Sequence, residues 1–221
     1  MHTAAALLPS VDADFNKIIN DLVSQGWSSI AHFFSPTLVT ELHNELLEHA
    51  EHDRLRAARI GKGQQRTLRS DIRGDEIRWF NGESQPQRDY LALMERLRQR
   101  INSELFLGLN DLEAHFALYA PGAGYRKHLD SFQNNNLRRI SVVGYLNENW
   151  QATDGGELLL FNDKNEVFER LLPEAGTLVC FVSEEIPHEV TITQRPRASI
   201  AGWFRVRDNT PNPPSLLIQN P

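Results

Sequence analysis

The second half of the chain is a series of short apolar runs separated by turn residues, and this pattern restricts the fold more than any other feature. Evenly spaced turn signals after Leu112 favour many short antiparallel strands over long helices. Such strands predict a sandwich or barrel, and an antiparallel jelly roll leaves room inside for one small ligand. The turn signals are Pro121-Gly122, Asn134-Asn135-Asn136, Asp154-Gly155-Gly156, Asn162-Asp163 and Pro173-Glu174-Ala175-Gly176.

The first half has helical periodicity instead. Apolar residues recur at helical spacing over 15–23 and again over about 87–105, while 27–34 is typical of a short strand. Ser35-Pro36 is typical of a helix start, with a capping serine and a proline in the first turn. We therefore predict an α+β fold, a double-stranded β-helix (jelly roll) core with N-terminal supporting helices on one outer face.

Composition favours a single domain with its own core, because 40% of the 221 residues are hydrophobic and 24% are charged. The net charge of -6 argues against general binding to nucleic acid or to an anionic membrane. Cys180 is the only cysteine, so a buried free thiol is expected rather than an intrachain disulfide. The first residues lack a basic, apolar leader, and no stretch is long enough to span a bilayer, which predicts a cytoplasmic protein.

Three residues form the pattern of a ferrous iron site. His128 and Asp130 are two residues apart, so on an extended strand both side chains point to the same face. His188 begins another strand-like run that could lie beside the first. Two imidazoles and one carboxylate occupy one face of an octahedron and leave three positions for a chelating cosubstrate and dioxygen. The His-x-Asp pair alone is weak evidence, but the ordered set with Arg197 and Ser199 is stronger and indicates an oxygenase.

Further motifs follow one another in an order that resembles a known family over about residues 67–205. The chain resembles the iron- and 2-oxoglutarate-dependent dioxygenases, and within them bacterial-type prolyl 4-hydroxylases similar to the animal hypoxia-inducible-factor prolyl hydroxylases, which sense oxygen. The matching motifs are Ile72-Arg73-Gly74-Asp75-Glu76-Ile77-Arg78-Trp79, Tyr119-Ala120-Pro121-Gly122, Gly124-Tyr125 before His128, Tyr145-Leu146-Asn147, Gly155-Gly156-Glu157-Leu158, Pro187-His188-Glu189-Val190, and Arg197 with Trp203.

The resemblance implies a role for each site residue. His128, Asp130 and His188 would bind Fe(2+), and the cosubstrates would be 2-oxoglutarate and O2, with ascorbate as a candidate reductant. Arg197 would pair with the far carboxylate of 2-oxoglutarate, because its planar guanidinium suits a bidentate contact. Residues 119, 145 and 199 complete the expected cosubstrate pocket: Tyr119 nearer the metal, Tyr145 bonded to the far carboxylate, and Ser199 sharing or competing for that bond, since other branches use an Arg-x-Ser pair.

The arginine-rich segment at about 54–80 is the expected substrate flap. By itself such a charge run is typical of a solvated loop, but the resemblance implies a mobile flap that closes over a peptide. The expected division is then a single domain over 1–221: supporting helices and flap in 1–110, a catalytic jelly roll in 111–206 and a C-terminal tail in 207–221. We hypothesise that three aromatic residues flank the target proline, namely Trp79, Tyr125 and Trp203, and that Asp75 pairs with Arg138 or Arg139 to hold the flap closed.

The remaining histidines are expected to have no catalytic role. His43, His49 and His52 lie on a helical stretch without a metal-binding pattern, which predicts exposed, solvated side chains. His115 is expected to be a strand residue with a structural partner.

Three functions remain compatible with the sequence. The favoured one is a protein prolyl 4-hydroxylase acting on a proline in a loop or disordered segment of an intracellular protein, such as a translation factor or ribosomal protein. The second is a 2-oxoglutarate oxygenase acting on another side chain, a free amino acid or a nucleobase, the last disfavoured by the acidic charge balance. The third is a non-catalytic jelly-roll module that binds a metal or ligand, and succinate formation would distinguish it from the others. The sequence indicates no oligomeric state.

Overall fold

Two facing antiparallel sheets and three helices make up the structure, a computed structural model that describes residues 9–58, 72–130 and 137–208. The helices are α1 (Pro9–Gln25), α2 (Pro36–Glu51) and α3 (Gln85–Leu105). The strands are β1 (Trp27–Ile30), β2 (Arg56–Ala57), β3 (Asp75–Trp79), β4 (Leu109–Tyr119), β5 (Tyr125–His128), β6 (Arg138–Tyr145), β7 (Leu158–Phe161), β8 (Val167–Leu171), β9 (Leu178–Val182), β10 (His188–Val190) and β11 (Arg197–Val206).

The strand order confirms the predicted jelly roll. The larger sheet has the order β1-β9-β6-β11-β4-β3-β2, and the smaller sheet has the order β5-β10-β7-β8. Neighbouring strands pair antiparallel in both sheets, and most partners in the larger sheet, such as β1 with β9 and β4 with β11, come from distant parts of the chain. This arrangement leaves a space between the sheets, as the short alternating runs predicted.

The helices form where the sequence contains helix starts. Ser35 caps α2 and its hydroxyl oxygen accepts the Leu38 N–H at 3.3 Å, with Pro36 in the first turn. Ser84 caps α3 in the same way, so this helix begins two residues before the predicted start at 87. Its end is set by Phe106, which adopts a left-handed conformation with φ of 54°.

Alternation along β11 separates the helix-facing core from the interior of the jelly roll. Ala198, Ile200 and Phe204 belong to the core that packs against the helices. Arg197, Ser199 and Trp203 point the other way and line the cavity between the sheets. The supporting helices α1 and α3 contact strands β1, β9 and β4 of the larger sheet, which gives the strands of the site a rigid backing.

Several local predictions need correction. Val23 is 69% exposed rather than part of the buried stripe of α1, whereas Phe15, Ile18 and Leu22 are buried. The strand predicted over 27–34 ends at Ile30, and the chain then turns through a left-handed residue, His32 (φ 57°).

The ends of the predicted flap are ordinary strands. Strands β2 and β3 pair with each other, and β3 extends the larger sheet beside β4. The centre of the predicted flap, 59–71, the turn at 134–136 and the tail from 209 lie outside the described residues. Among the described helices, none combines the length and apolar character needed to cross a bilayer.

Candidate active site

The predicted metal ligands converge at one end of the cavity. His128 ends β5, Asp130 follows two residues later, and His188 begins β10 directly opposite His128 in the antiparallel register. The Asp130 carboxylate oxygens lie 3.6 Å from His128 Nε2 and 3.5 Å from His188 Nε2. One ligand atom from each residue falls within 4.8 Å of the other two, so the three side chains could hold one metal ion.

Backbone contacts fix which ring nitrogen faces the centre. His128 Nδ1 lies 2.8 Å from the Arg126 carbonyl oxygen, and His188 Nδ1 lies 3.1 Å from the Ile186 carbonyl oxygen. A carbonyl can only accept, so each Nδ1 donates and each Nε2 carries the lone pair that a metal needs. Both histidines of the triad therefore have the tautomer that can bind a metal ion through Nε2.

Burial and mutual charge set the protonation of the triad. Burial, together with the nearby His128, lowers the pKa of His188 to about 4, so this imidazole is neutral at neutral pH. Burial opposes ionisation of Asp130, but the nearby imidazoles of His188 and His128 and a hydrogen bond from the Ser141 hydroxyl outweigh it, so the pKa of Asp130 lies below its usual range. A neutral imidazole and an ionised carboxylate are the ligand forms of this donor set.

Ring packing fixes the orientation of both histidines. Tyr125 stacks on His128 with a centroid distance of 3.6 Å and an interplanar angle of 18°. Phe181 lies against His188 at 4.6 Å. Because both imidazoles are held by aromatic neighbours as well as by backbone carbonyls, the site is formed before any metal binds.

A buried cation lies deeper in the same cavity. The Arg197 side chain is 1% exposed; its Nε donates to the Gly156 carbonyl at 2.7 Å and its Nη1 donates to Ser199 Oγ at 3.2 Å. Within residues 9–58, 72–130 and 137–208, no carboxylate pairs with it. A buried, unpaired guanidinium is costly, so this position fits an anion supplied by a ligand.

Tyrosines complete the surroundings of Arg197. The guanidinium carbon lies 5.2 Å from the ring centroids of both Tyr119 and Tyr145. The Tyr145 hydroxyl is fully buried and has no hydrogen-bond partner among the described residues. Burial raises the pKa of Tyr145 to about 12, so its hydroxyl stays protonated and can donate to a carboxylate. Ser199 bonds to Arg197 instead, which leaves Tyr145 as the free donor.

The paired glycines of the sequence make room for this cation. Gly156 has φ of +68°, and a Cβ atom there would lie 3.0 Å from Arg197 Cδ and 3.2 Å from the Trp150 ring. A larger residue at position 156 would therefore crowd the Arg197 side chain, whose Nε donates to the carbonyl oxygen of the same residue.

The cavity joins the metal and the arginine. It holds about 530 Å³ of atom-free space, its open mouth included, and both Asp130 and Arg197 line it. The His-Asp-His donor set fits ferrous iron, since two imidazoles and one carboxylate with open positions are the ligands of non-haem Fe(II) oxygenases. The Tyr145 hydroxyl and Arg197, which have no acceptor and no carboxylate partner among the described residues, fit the far carboxylate of 2-oxoglutarate.

The aromatic residues predicted to flank a proline come from three strands: Trp203 lies on β11, about 20 Å from Arg197 at the usual rise of a strand, Tyr125 stacks on His128 from β5, and Trp79 ends β3. Tyr125 and Trp203 line the cavity. Trp79 lies beyond them, 44% exposed, with its ring 6.4 Å from that of Trp203 and 4.8 Å from that of His115. The three aromatic residues therefore lie around the cavity mouth, with Trp79 as its outermost ring.

The predicted ion pair between Asp75 and Arg138 or Arg139 is wrong. Both Asp75 oxygens accept from Arg73, at 2.7 and 2.9 Å, while Arg138 pairs with Glu113 at 2.7 Å. Strand β3 is separated from β6 by β11 and β4, about 14 Å across the sheet, and the register puts Asp75 level with Arg197 but Arg138 level with Arg205, so the two residues are also about 26 Å apart along the strands. Arg139 pairs with Glu184 on the opposite side, at 3.3 Å.

Among the other histidines, His52 and His115 match their predictions and His49 does not. His49 is buried, 8% exposed, and lies 3.4 Å from the Glu45 carboxylate, so the prediction of a solvated side chain is wrong there. His52 is exposed as expected. His115 is a buried strand residue whose Nδ1 donates to the Phe116 carbonyl at 3.0 Å, and its Nε2 has no partner among the described residues.

Ser141 is a site residue that the sequence analysis missed. Its hydroxyl donates to Asp130 Oδ2 at 2.7 Å, from a position inside β6. The only sequence signal was one polar residue within the apolar run Ile140-Ser141-Val142-Val143.

Comparison with known proteins agrees with this geometry. The family model of the 2OG-Fe(II) oxygenase superfamily matches residues 114–205, which contain the whole triad and Arg197. A crystal structure of a Pseudomonas putida prolyl-4-hydroxylase is 43% identical, covers 88% of this chain and 100% of that one, and superposes with a TM-score of 0.79. The chain belongs to the 2OG-Fe(II) oxygenase superfamily. Fe(2+), 2-oxoglutarate and O2 are accordingly the cofactor and cosubstrates of this oxygenase.

Two animal relatives are more distant. A Trichoplax adhaerens prolyl hydroxylase, solved with a hypoxia-inducible-factor peptide, is 28% identical over 89% of this oxygenase and 90% of that chain, with a TM-score of 0.78. The human protein Egl nine homolog 1 is 32% identical over 61% of the oxygenase. The oxygenase spans a fifth to about two fifths of the length of the first curated relatives that it matches.

Proposed function

We propose that the chain is an iron- and 2-oxoglutarate-dependent protein prolyl 4-hydroxylase that acts on a proline in a loop or disordered segment. The single observation that supports it most is the placement in one cavity of a His-Asp-His triad and a buried Arg197 that has no carboxylate partner in the part of the chain that the structure describes. The overall reaction converts 2-oxoglutarate, O2 and a prolyl residue into succinate, carbon dioxide and a 4-hydroxyprolyl residue.

Each residue has a defined task in this proposal. His128, Asp130 and His188 would hold the iron, which supplies activation of O2 coupled to oxidative decarboxylation of 2-oxoglutarate. Arg197 binds and orients the far carboxylate of 2-oxoglutarate, and Tyr145 donates a hydrogen bond to the same group. Tyr119, whose pKa is raised by burial, stays a neutral donor nearer the metal. Ser199 keeps the guanidinium in place.

Proline as the target rests on the relatives and on the cavity mouth. The Pseudomonas protein is a prolyl-4-hydroxylase, and the Trichoplax prolyl hydroxylase was solved in complex with a peptide fragment of the hypoxia-inducible-factor oxygen degradation domain. In this chain, Tyr125 and Trp203 would form apolar walls for a pyrrolidine ring, with Trp79 outside them. Arg138, which lies 3.5 Å over the Trp203 ring, and Asp75, through Arg73 and Tyr125, would keep these walls in position.

We also propose that the protein works in the cytoplasm and that its target is an intracellular protein. The only cysteine, Cys180, is a buried free thiol, which suits a reducing compartment.

The deciding experiment is proteome-wide mass spectrometry of a lysate treated with iron-loaded protein, 2-oxoglutarate and 18O2, with and without ascorbate. The proposal predicts one heavy oxygen atom on proline of one or a few proteins, and no label with the His128→Ala variant. Label on another residue or on a small molecule would keep the oxygenase and reject the prolyl assignment. Absence of both label and succinate formation, with iron and 2-oxoglutarate bound, would support a non-catalytic binding module.

A further inference from the structure

A pair of buried serine hydroxyls leads to the metal-binding carboxylate. Ser141 Oγ lies 2.7 Å from Asp130 Oδ2, and Ser183 Oγ lies 2.9 Å from Ser141 Oγ. Ser141 is 1% exposed and Ser183 is fully buried. Ser141 points into the cavity from β6, and the Ser183 backbone N–H donates to the Arg139 carbonyl at 3.0 Å, so backbone pairing holds both residues.

The direction of these hydrogen bonds follows from the charge of Asp130. An ionised carboxylate can only accept, so the single hydroxyl hydrogen of Ser141 is used in the bond to Oδ2. Ser141 must then accept in its contact with Ser183, and Ser183 donates. Only one arrangement of hydrogens satisfies both contacts, which makes the chain of hydroxyls directional and rigid.

The bond from Ser141 distinguishes the two oxygens of Asp130. Oδ2 accepts a short, charge-assisted hydrogen bond and lies 3.5 Å from His188 Nε2, whereas Oδ1 lies 3.6 Å from His128 Nε2 and accepts no bond from a hydroxyl among the described residues. An oxygen that already accepts such a bond is the poorer metal ligand, so Oδ1 is the oxygen available to the ion. A carboxylate that binds through one oxygen leaves three metal positions open, as 2-oxoglutarate and O2 together require.

Fold stability does not explain a serine at position 141. Its neighbours across the sheet are Phe181 on β9 and Trp203 on β11, and a buried strand position between aromatic residues favours a β-branched apolar side chain. A hydroxyl there is tolerated because Asp130 accepts from it.

We propose that Ser141 is a positioning residue that orients Asp130 toward the metal, and that Ser183 orients Ser141. The inference rests on the proposed function for its metal site but not for its substrate. Its consequence is measurable as metal affinity, since partners that orient ligands typically change affinity by about 10-fold or more.

The test is titration of the purified full-length protein with Mn(2+), a redox-stable probe for the Fe(2+) site, followed by the electron paramagnetic resonance signal of free Mn(2+). Ser141→Ala is expected to raise the Kd about 10-fold, and Ser141→Thr, which retains the hydroxyl, to restore it to within about threefold of the parent. Ser183→Ala is expected to have a smaller effect, because Ser141 keeps its own hydrogen.

Ser28→Ala is the matched control. Ser28 is also 1% exposed and its hydroxyl donates to an aspartate, Asp21, at 2.6 Å, but it lies on β1 away from the metal ligands. This variant is expected to change the melting temperature and leave the Mn(2+) Kd unchanged.

The outcomes separate the inference from the proposed function. A parent protein that binds no Mn(2+) would overturn the proposed function itself. A parent that binds Mn(2+), with Ser141→Ala within twofold of it, would overturn only the role of Ser141. A folded Ser141→Thr variant that binds Mn(2+) as weakly as Ser141→Ala would also contradict the role of Ser141, because the hydroxyl would then have no effect on metal affinity.

Discussion

The two ends of the cavity differ in how their charges are satisfied. At the inner end, Arg197 is buried without a carboxylate partner among the described residues, and the Tyr145 hydroxyl has no acceptor there. At the outer end, beside Trp203 but outside the cavity lining, Arg138 and Arg205 both pair with Glu113, and Arg205 also pairs with Asp111. The inner end therefore needs a ligand anion, whereas the outer end is already neutralised and offers shape and aromatic surface. The chemistry of the cosubstrate is thus more strongly encoded than the identity of the substrate.

The largest expected effect is at Arg197. Arg197→Lys should raise the KM for 2-oxoglutarate at least about 30-fold, because losing one partner of a buried charge pair costs roughly 2–5 kcal/mol. Steady-state succinate formation against cosubstrate concentration measures this. Ser199→Ala is the control, since it removes only one hydrogen bond to the guanidinium, and an equal loss in both variants would contradict the role of Arg197 as the anion-binding group.

His115 tests whether the outer end is sensitive to acid. Burial and the nearby Arg73 lower its pKa to about 4, below the ordinary histidine value of 6.5. The unfolded chain then binds more protons between pH 6.5 and 4, so stability falls as the pH decreases through this range, by on the order of 3 kcal/mol. His115→Leu should remove that part of the loss, as measured by urea unfolding at pH 7 and pH 4.5.

Exposed His32 provides the control for this experiment. His32→Asn suits the left-handed backbone at that position and should retain the acid sensitivity of the parent. If His115→Leu has the same pH dependence as the parent, His115 is not held neutral by the fold.

The next largest effect is expected at Tyr145, whose hydroxyl has no partner among the described residues. Tyr145→Phe should raise the KM for 2-oxoglutarate about 10-fold, because a hydrogen bond to a charged group contributes roughly 1.5–3 kcal/mol. The stability of the ligand-free protein should not decrease, since the hydroxyl has no partner there among the described residues. A destabilised variant with unchanged KM would show that the hydroxyl serves the fold and not the cosubstrate.

The smallest effect is expected at the outer end. Glu113→Gln removes the carboxylate that holds Arg138 over Trp203, so the KM for a proline peptide should rise about threefold, as for a partly exposed ion pair. The KM for 2-oxoglutarate should stay unchanged. A rise in the cosubstrate KM instead would mean that the two ends are not independent.

The convergence of the three proposed metal ligands was predictable from the sequence, because its signal is local and geometric. The two-residue period of a strand places His128 and Asp130 on one face, and the antiparallel register brings His188 opposite His128. Helix starts were also predictable, since Ser35-Pro36 specifies its own cap.

Partners across the sheet were not predictable, because they depend on strand order. Nothing in the sequence places two strands between Asp75 and Arg138, so the pairing with Arg73 was missed. The contact of Ser141 with Asp130 likewise depends on how β6 faces the metal. His49 looked like a polar helix residue, and its burial depends on packing of α2 against the rest of the core.

The most direct test of the central claim is calorimetric titration of 2-oxoglutarate into the protein, with Mn(2+) bound and with the metal removed by chelation. If the metal and Arg197 hold opposite ends of 2-oxoglutarate, its binding should be tight only when metal is present. Metal-loaded Arg197→Lys should then have a much lower affinity for 2-oxoglutarate. Binding that is independent of both the metal and Arg197 would contradict the assignment of this cavity to 2-oxoglutarate.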